Sequence, residues 1–411
     1  MKTVKGTRDF LPEEMLLRQQ IIEKIRAVFE NFGFQPMETP ALEAWKTLST
    51  KGAGGDEILK ESYNFEDKGG RMIGLRYDLT VPLARLISEN PNTPLPFKRY
   101  QIGKVWRYGD VAKGRLREFL QADVDIVGSN SSLADAEVIA CAITCFKELG
   151  FKDFYIRLNT REKLSEVIEK NTNIAQEKVI DVARIIDKKD KIGEEGVREE
   201  LSGTISTQAT ATVLANIRNA NEMAKKINKN GLSKTEREIL SYLKIFNLDS
   251  KVKIDRSLAR GLDYYTGPIF EVFAGENIGS LGGGGRYDNL IELFSGRNIP
   301  ATGISFGIDR IMEIINLNVE NRTKVFVVAV NDKVRKNVLE IVKSLREKAV
   351  STDYDMRSRS LSGQLKYVSS MGIPFSVIVG EKELEKKSVK IRNMKNGKEE
   401  LVKIKDLYKK F

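Results

Sequence analysis

The chain has 411 residues, 41% of them hydrophobic and 30% charged, with a formal net charge of +11. That length exceeds one ordinary domain, so two or three soluble globular domains are expected. Histidine is absent altogether, which excludes any mechanism with a protein imidazole as base, nucleophile or metal ligand.

Catalysis by such a chain must rest on positioning and electrostatics, the usual means of phosphoryl and adenylyl transfer. The two cysteines, Cys141 and Cys145, stand four apart in the apolar pattern AEVIACAITCFKEL, on one helix face. Without histidine they cannot complete an ordinary four-ligand zinc site and read as small buried hydrophobes; no metal site is expected. The positive charge favours a polyanionic partner such as nucleic acid; a lysine-rich compositional bias is the other reading. The start, MKTVKGTRDF, has no apolar run after its basic residues and does not read as a signal peptide. No window approaches the roughly 18 apolar residues of a membrane span, so a cytoplasmic protein without membrane contact is expected.

In chain order, Met15, Leu16, Ile21, Ile22, Ile25, Val28 and Phe29 predict an amphipathic helix over 13–32, stopped by Gly33. An extended piece, FQPMETPALE, follows, and then GLRYDLTVPLARLI and PFKRYQIGKVWRYGD mix strand-like and helical runs. QADVDIV, residues 121–127, has period 2: Ala122, Val124 and Ile126 face one way, Gln121, Asp123 and Asp125 the other. Polar groups on the second face of a central strand suggest a sheet that floors an active site. Residues 132–149 read as a helix and FYIRLN as a strand. From about 161 to 244 strand signals vanish and Lys, Glu, Asn and Ile recur at helical spacing, as a helical insertion would. Strand signals return near Lys253. A boundary falls near NVENRT, 318–323, and beyond it strand, helix, strand, helix and strand alternate, closing in a hairpin with Asn396–Gly397 at its turn.

Some segments are more informative than the elements they lie on. In LARGLDYYTGPIFE and LGGGGRYD, the residues Arg260, Asp263, Tyr264, Arg286 and Tyr287 crowd polar groups among glycines and apolar residues. Such groups are costly to bury without partners, and they suit a pocket for a small polar ligand. KRYQIGKVWRYGDVAKGRLREFLQADVDIVG reads as two strands joined by a basic loop carrying Arg107, Arg115 and Arg117, whose guanidiniums match phosphate oxygens; a solvated basic hairpin is the plainer alternative. PATGISFGIDRI is a glycine-rich strand leading into a helix with Arg310. Asp78, ahead of LTVPLARL, would also serve as a helix cap.

FGFQPMETPAL, the basic hairpin and PATGISFGIDRI occur in this order, with LARGLDYY and GGGGRYD between the second and third. Together they resemble the three motifs and two signature peptides of the histidyl-tRNA synthetase family, class II aminoacyl-tRNA synthetases, over nearly the whole chain. YDLT with DVDIVG is similar to archaeal and eukaryotic members, where typical bacterial ones carry glutamates, and the loop of the basic hairpin is a little short. The resemblance implies an α+β fold: an antiparallel sheet with flanking helices over residues 1–320, a helical insertion at about 161–244, and a C-terminal α/β anticodon-binding domain over 321–411. It implies ATP-dependent ligation of L-histidine to tRNA-His through a histidyl-adenylate, with Mg²⁺ accompanying ATP, in a homodimer. By the same resemblance Asp78, Thr80 and Gln121 hold the α-amino group, and Asp125 with Tyr264 senses the imidazole. Tyr265 joins the histidine pocket and Tyr287 closes it. Arg107 and Arg260 meet the α-phosphate as the catalytic pair, Arg107 also meeting the amino-acid carboxylate. Arg310 lies against the adenine and the triphosphate, Arg115 near the terminal phosphate, and Phe119 stacks the adenine. The alternatives are a non-catalytic, histidine-sensing regulatory paralogue and an RNA-binding module with a dead synthetase core.

Overall fold

Burial of Ile21, Ile25, Val28 and Phe29 on one side of the helix Pro12–Asn31 follows from their helical spacing, and Gly33, at φ +76°, ends the run. The computed structural model describes residues 1–50, 56–225, 231–260, 264–275, 279–317, 319 and 321–411, and it forms two units, Met1–Leu317 and Asn318–Phe411.

The first unit is α+β. Its strands are β1 (Gln35–Pro36), β2 (Leu42–Ala44), β3 (Asn64–Glu66), β4 (Met72–Leu75), β5 (Phe97–Trp106), β6 (Glu118–Val127), β7 (Phe154–Thr160), β8 (Val252–Ile254), β9 (Pro268–Ala274), β10 (Ser280–Arg286) and β11 (Ala301–Gly307). Eight of them form one sheet in the order β1-β5-β6-β11-β10-β9-β7-β8, antiparallel from β5 through β7. β2, β4 and β3 form a small separate sheet. Alternation along β6 sends Ala122, Val124 and Ile126 into a core shared with the helices Pro12–Asn31, Ser132–Glu148 and Ile308–Ile314. Cys141 and Cys145 are buried in the same core.

The helical stretch divides between two cores. Helices Arg161–Glu169, Gln176–Asp187, Lys189–Thr204 and Thr207–Lys225 close around Leu164, Ile168, Val182, Ile186, Leu201 and Val213. Helix Lys234–Ile245 instead buries Ile239 and Leu243 in the core beneath the large sheet. A capping box between Ser233 and Glu236 starts it.

The second unit is a five-stranded sheet of β12 (Val325–Ala329), β13 (Thr352–Tyr354), β14 (Phe375–Val379), β15 (Ser388–Asn393) and β16 (Glu399–Lys403), in the order β13-β12-β14-β15-β16. The first three strands in that order are parallel, linked by the helices Arg335–Glu347 and Leu361–Ser370. The closing hairpin turns at Gly397, φ +74°. Among the described residues, no helix is long and apolar enough to cross a membrane.

Candidate active site

The face of the large sheet opposite the apolar core is polar, yet it too is buried. Register places Arg99, Asp125, Gly303 and Gly285 in one row across β5, β6, β11 and β10. The next row on that face is Gln101, Asp123, Ser305, Gly283 and Glu271, and Gly103, Gln121 and Gly307 begin a third. Arg99, Gln101, Asp123, Asp125 and Glu271 are each at most 3% exposed. Among the described residues, several atoms of this face have no hydrogen-bond partner: Arg99 Nε and Nη1, Gln121 Oε1 and Asp123 Oδ1. Each such group costs about 1–3 kcal/mol if left unmade. A fold stabilised by its own contacts alone would not gather them on one face, whereas a polar ligand lying on that face would satisfy them.

Glycine keeps the floor low where side chains cross it. A Cβ at Gly283 would stand 3.3 Å from Arg260 Nη1, and one at Gly303 would collide with the Asp125 carboxylate.

Three carboxyls line the polar end. Asp125 Oδ1 accepts a short bond from the Tyr287 hydroxyl, and Oδ2 lies 2.6 Å from Arg99 Nη2. Burial raises the Asp125 pKa, opposed by Arg99 and Tyr287. Asp123, between Asp125 and Asp78, is pushed up to about 7 by burial, with Arg99 opposing and Asp125 adding. Asp78 is pushed up to about 6 by burial, opposed by the Val81 N–H and Arg107. Its Oδ1 accepts from Val81 N at 3.1 Å, in the first turn of the helix Thr80–Glu89, whose N-cap position is Leu79 rather than Asp78. Tyr264 and Tyr265 meet edge to face, centroids 4.5 Å apart, and Tyr264 stands 6.2 Å from the Tyr287 ring. Tyr265 rests against Gly285, in the row of Asp125. The tyrosine hydroxyl bonded to Asp125 is thus that of Tyr287 rather than Tyr264.

Arginines converge on the other end. Arg107, just past β5, donates Nε to Tyr77 O at 2.9 Å and lies 5.5 Å from the Phe119 ring. Arg310 donates to Ser280 O at 2.7 Å, and Arg260 Nε lies 2.7 Å from Glu271 Oε1. Arg115 stands 3.7 Å from Glu61 Oε1. Burial lowers the Arg310 pKa, and Arg260, Arg115 and Arg107 lower it further, with Glu271 opposing. Four guanidiniums therefore share one field, with the buried Glu271 among them. Such a cluster favours a polyanion, and the planar forks suit phosphate oxygens.

Arg286 is not part of this face. It pairs with Asp135 at 2.8 Å and donates to Ser129 O and Ser131 O, bracing the start of the helix Ser132–Glu148. Asp263 lies outside the described residues. Arg99, Gln101, Ser305 and Glu271 are floor residues that sequence reasoning missed, and Asp123, which it placed on the polar face, received no role there. Their signal was a polar or charged residue at the interior of an otherwise strand-like run, as in PIFEVFA.

Comparison with known proteins bears on the whole chain. Residues 6–311 match the family model described as histidyl-tRNA synthetase, and 324–411 one described as an anticodon binding domain. The histidine–tRNA ligase of Aeropyrum pernix is 41% identical over 397 residues, 93% of this chain and 91% of that protein. Histidine–tRNA ligase 1 of Bacillus cereus (strain ATCC 10987) is 38% identical over 416 residues, 97% of this chain and 94% of that protein. The crystal structure of histidyl-tRNA synthetase from Nostoc sp. PCC 7120 superposes with a TM-score of 0.83 at 28% identity, covering 100% of this chain and 98% of that one.

Proposed function

The chain belongs to the histidyl-tRNA synthetase family, and on that premise we propose how its own residues ligate L-histidine to tRNA-His at the expense of ATP. A carboxylate oxygen of histidine attacks the ATP α-phosphorus, the bond to the β-phosphate oxygen breaks, and pyrophosphate leaves. The terminal ribose hydroxyl of the tRNA then attacks the carbonyl carbon of the histidyl-adenylate, its proton passes to the phosphate of the leaving group, and AMP leaves. Arg107 and Arg260 neutralise charge on the α-phosphate in the first step, Arg107 also orienting the histidine carboxylate. Arg310 and Arg115 hold the rest of the triphosphate, and Phe119 stacks the adenine. Adenylate formation needs no protein base, because the attacking carboxylate is already an anion and preorganised positive charge stabilises the in-line transition state. Magnesium enters with the β and γ phosphates as part of the nucleotide substrate.

Asp78, Thr80 and Gln121 hold the α-amino group. Asp125 accepts the imidazole N–H on a lone pair not used by Tyr287 or Arg99. A tyrosine hydroxyl, from Tyr264 with Tyr265 beside it, donates to the bare nitrogen. The observation that carries this reading is a buried face on which, among the described residues, several polar atoms lack partners and on which Arg107, Arg115, Arg260 and Arg310 converge. It fits an amino acid beside a nucleotide triphosphate.

The catalytic domain is assigned to residues 1–320, with the insertion at about 161–244, and the anticodon-binding domain to 321–411. The second unit holds a cleft of about 380 Å³ at the ends of β12 and β13, lined by Asn331, Arg335, Tyr354, Ser358, Arg359 and Gln364. Its donors, acceptors and planar groups suit an unstacked base. A homodimer is supported by the apolar face of the small sheet, where Leu42 and Phe65 are each 46% exposed beside Ile73 and Leu75. A cytoplasmic location, where tRNA is charged, belongs to the same proposal. The regulatory alternative is not favoured, since the chain carries both the LARGLDYY peptide and the second domain. Aminoacylation of tRNA-His transcript with radiolabelled histidine tests the proposal; a folded enzyme that forms adenylate but never charges this tRNA would refute it.

A further inference from the structure

Arg260 has little to hold it from its own side chain. It is 45% exposed and pairs with Glu271, across Gly283. What fixes it is the backbone that delivers it, and residues 255–259 are clamped from two sides. On the sheet side, Asp255 N donates to Leu158 O at 3.0 Å, and Asn159 Nδ2 donates to Leu258 O at 2.9 Å. On the insertion side, Asn221 Oδ1, from the helix Thr207–Lys225, accepts from Arg256 N at 2.7 Å. Ala259, the residue before Arg260, is fully buried in the hydrophobic core of the insertion helices.

Arg256 ties the two sides together. Its guanidinium is 2% exposed and makes a forked pair with Glu236, Nη2 to Oε2 at 2.9 Å and Nη1 to Oε1 shorter still. Nη1 also donates to Asn159 Oδ1 at 2.9 Å, and Nη2 to Gly231 O at 2.9 Å. Asn159 thus accepts from Arg256 and donates to Leu258, fixing the turn at both ends. Glu236 belongs to the capping box of the helix Lys234–Ile245, packed in the main core. A buried ion pair of this kind contributes little net stability over an apolar replacement; what it supplies is one geometry.

We infer that Arg256, paired with Glu236 and Asn159, is a positioning residue for adenylate formation, through which the helix Lys234–Ile245 sets Arg260 over the α-phosphate. The inference rests on the role proposed above for Arg260. A lysine at 256 keeps the charge but cannot reproduce the fork to Glu236 and Asn159 together. The turn would then lose its tie to Glu236, and Asn159, which holds Leu258 O, would lose its anchor, leaving Arg260 without its fixed approach.

The test is a double-mutant cycle in the full-length enzyme, read by ATP–pyrophosphate exchange. Arg256→Lys is expected to lower kcat by about tenfold or more, with KM for histidine unchanged within about twofold. Glu236→Gln, which keeps the shape of its partner, is expected to do the same more mildly. In an Arg260→Lys background, either change is expected to lower kcat by less than about twofold, because the group they position is already lost. Multiplicative effects in that background, or a rise in KM for histidine matching the fall in kcat, would show a merely structural role and overturn the inference. Near-normal exchange by Arg260→Lys alone would instead overturn the role of Arg260. Should Arg256→Lys fail to fold, the Glu236→Gln arm decides alone.

Discussion

Asp125 carries two loads in this structure, and replacing it with asparagine separates them. Its carboxylate is 3% exposed, bonded to Tyr287 through Oδ1 and paired at 2.6 Å with Arg99, which is fully buried. Breaking a buried ion pair from one side typically costs about 3–5 kcal/mol. Asparagine leaves an oxygen facing Arg99, and Asp123 still attracts that guanidinium, so the lower end, about 3 kcal/mol, is expected. The second load is the ligand. An amide presents either an N–H to Arg99, donor against donor, or an N–H toward Tyr287 and the imidazole. Either way an acceptor of fixed polarity is gone, and a site built on buried hydrogen bonds can lose up to about 10⁴-fold in kcat/KM. The assays are thermal unfolding and pyrophosphate exchange against histidine concentration with ATP saturating. A lowered melting temperature with at least a hundredfold rise in KM for histidine, or about 2.7 kcal/mol, is expected. Unchanged exchange kinetics beside a lowered melting temperature would leave Asp125 as the counter-ion of Arg99 and nothing more.

Three further outcomes are expected. Arg260→Lys loses one to several powers of ten in exchange, since a point charge cannot copy the planar fork and one preorganised donor is worth roughly 3–4 kcal/mol in comparable sites; near-normal exchange at saturating ATP would refute the placement. Asp123 has its folded pKa raised from 3.8 to about 7, so the stability it contributes is full below about pH 4 and is lost as pH rises through 7. Denaturant unfolding at pH 5 and pH 8 is therefore expected to show a loss that Asp123→Asn reduces, and an equal loss in the variant would contradict the shift. Removing residues from Thr323 onward, in a truncated protein shown to be folded and dimeric, is expected to spare exchange and cripple charging of tRNA-His, and undiminished charging would rule out anticodon binding by the second unit.

Much of the fold was legible because its signals are local. The period-2 run QADVDIV lies within β6, and the helical spacing before Gly33 marks the first helix. The site was legible where resemblance supplied roles for single residues, less so where roles arise from register. Glu271 stands opposite Gly283, and Arg99 opposite Asp125, only because strands distant in sequence pair. No spacing in the sequence reports that. Arg286 was read with the pocket residues because LGGGGRYD crowds polar groups among glycines, yet parity along β10 tells against it: Gly283 and Gly285 face the site, so Arg286 faces away and meets Asp135. Helical spacing likewise says that Lys234–Ile245 is a helix, not which core its buried stripe enters.

The most direct test of the assignment is ATP–pyrophosphate exchange by the purified full-length protein with each of the standard amino acids in turn. Exchange is expected with histidine and to fall to background with every other one, because only a neutral imidazole offers one donor and one acceptor on a five-membered ring. Exchange driven by a different amino acid, or by none, would contradict it.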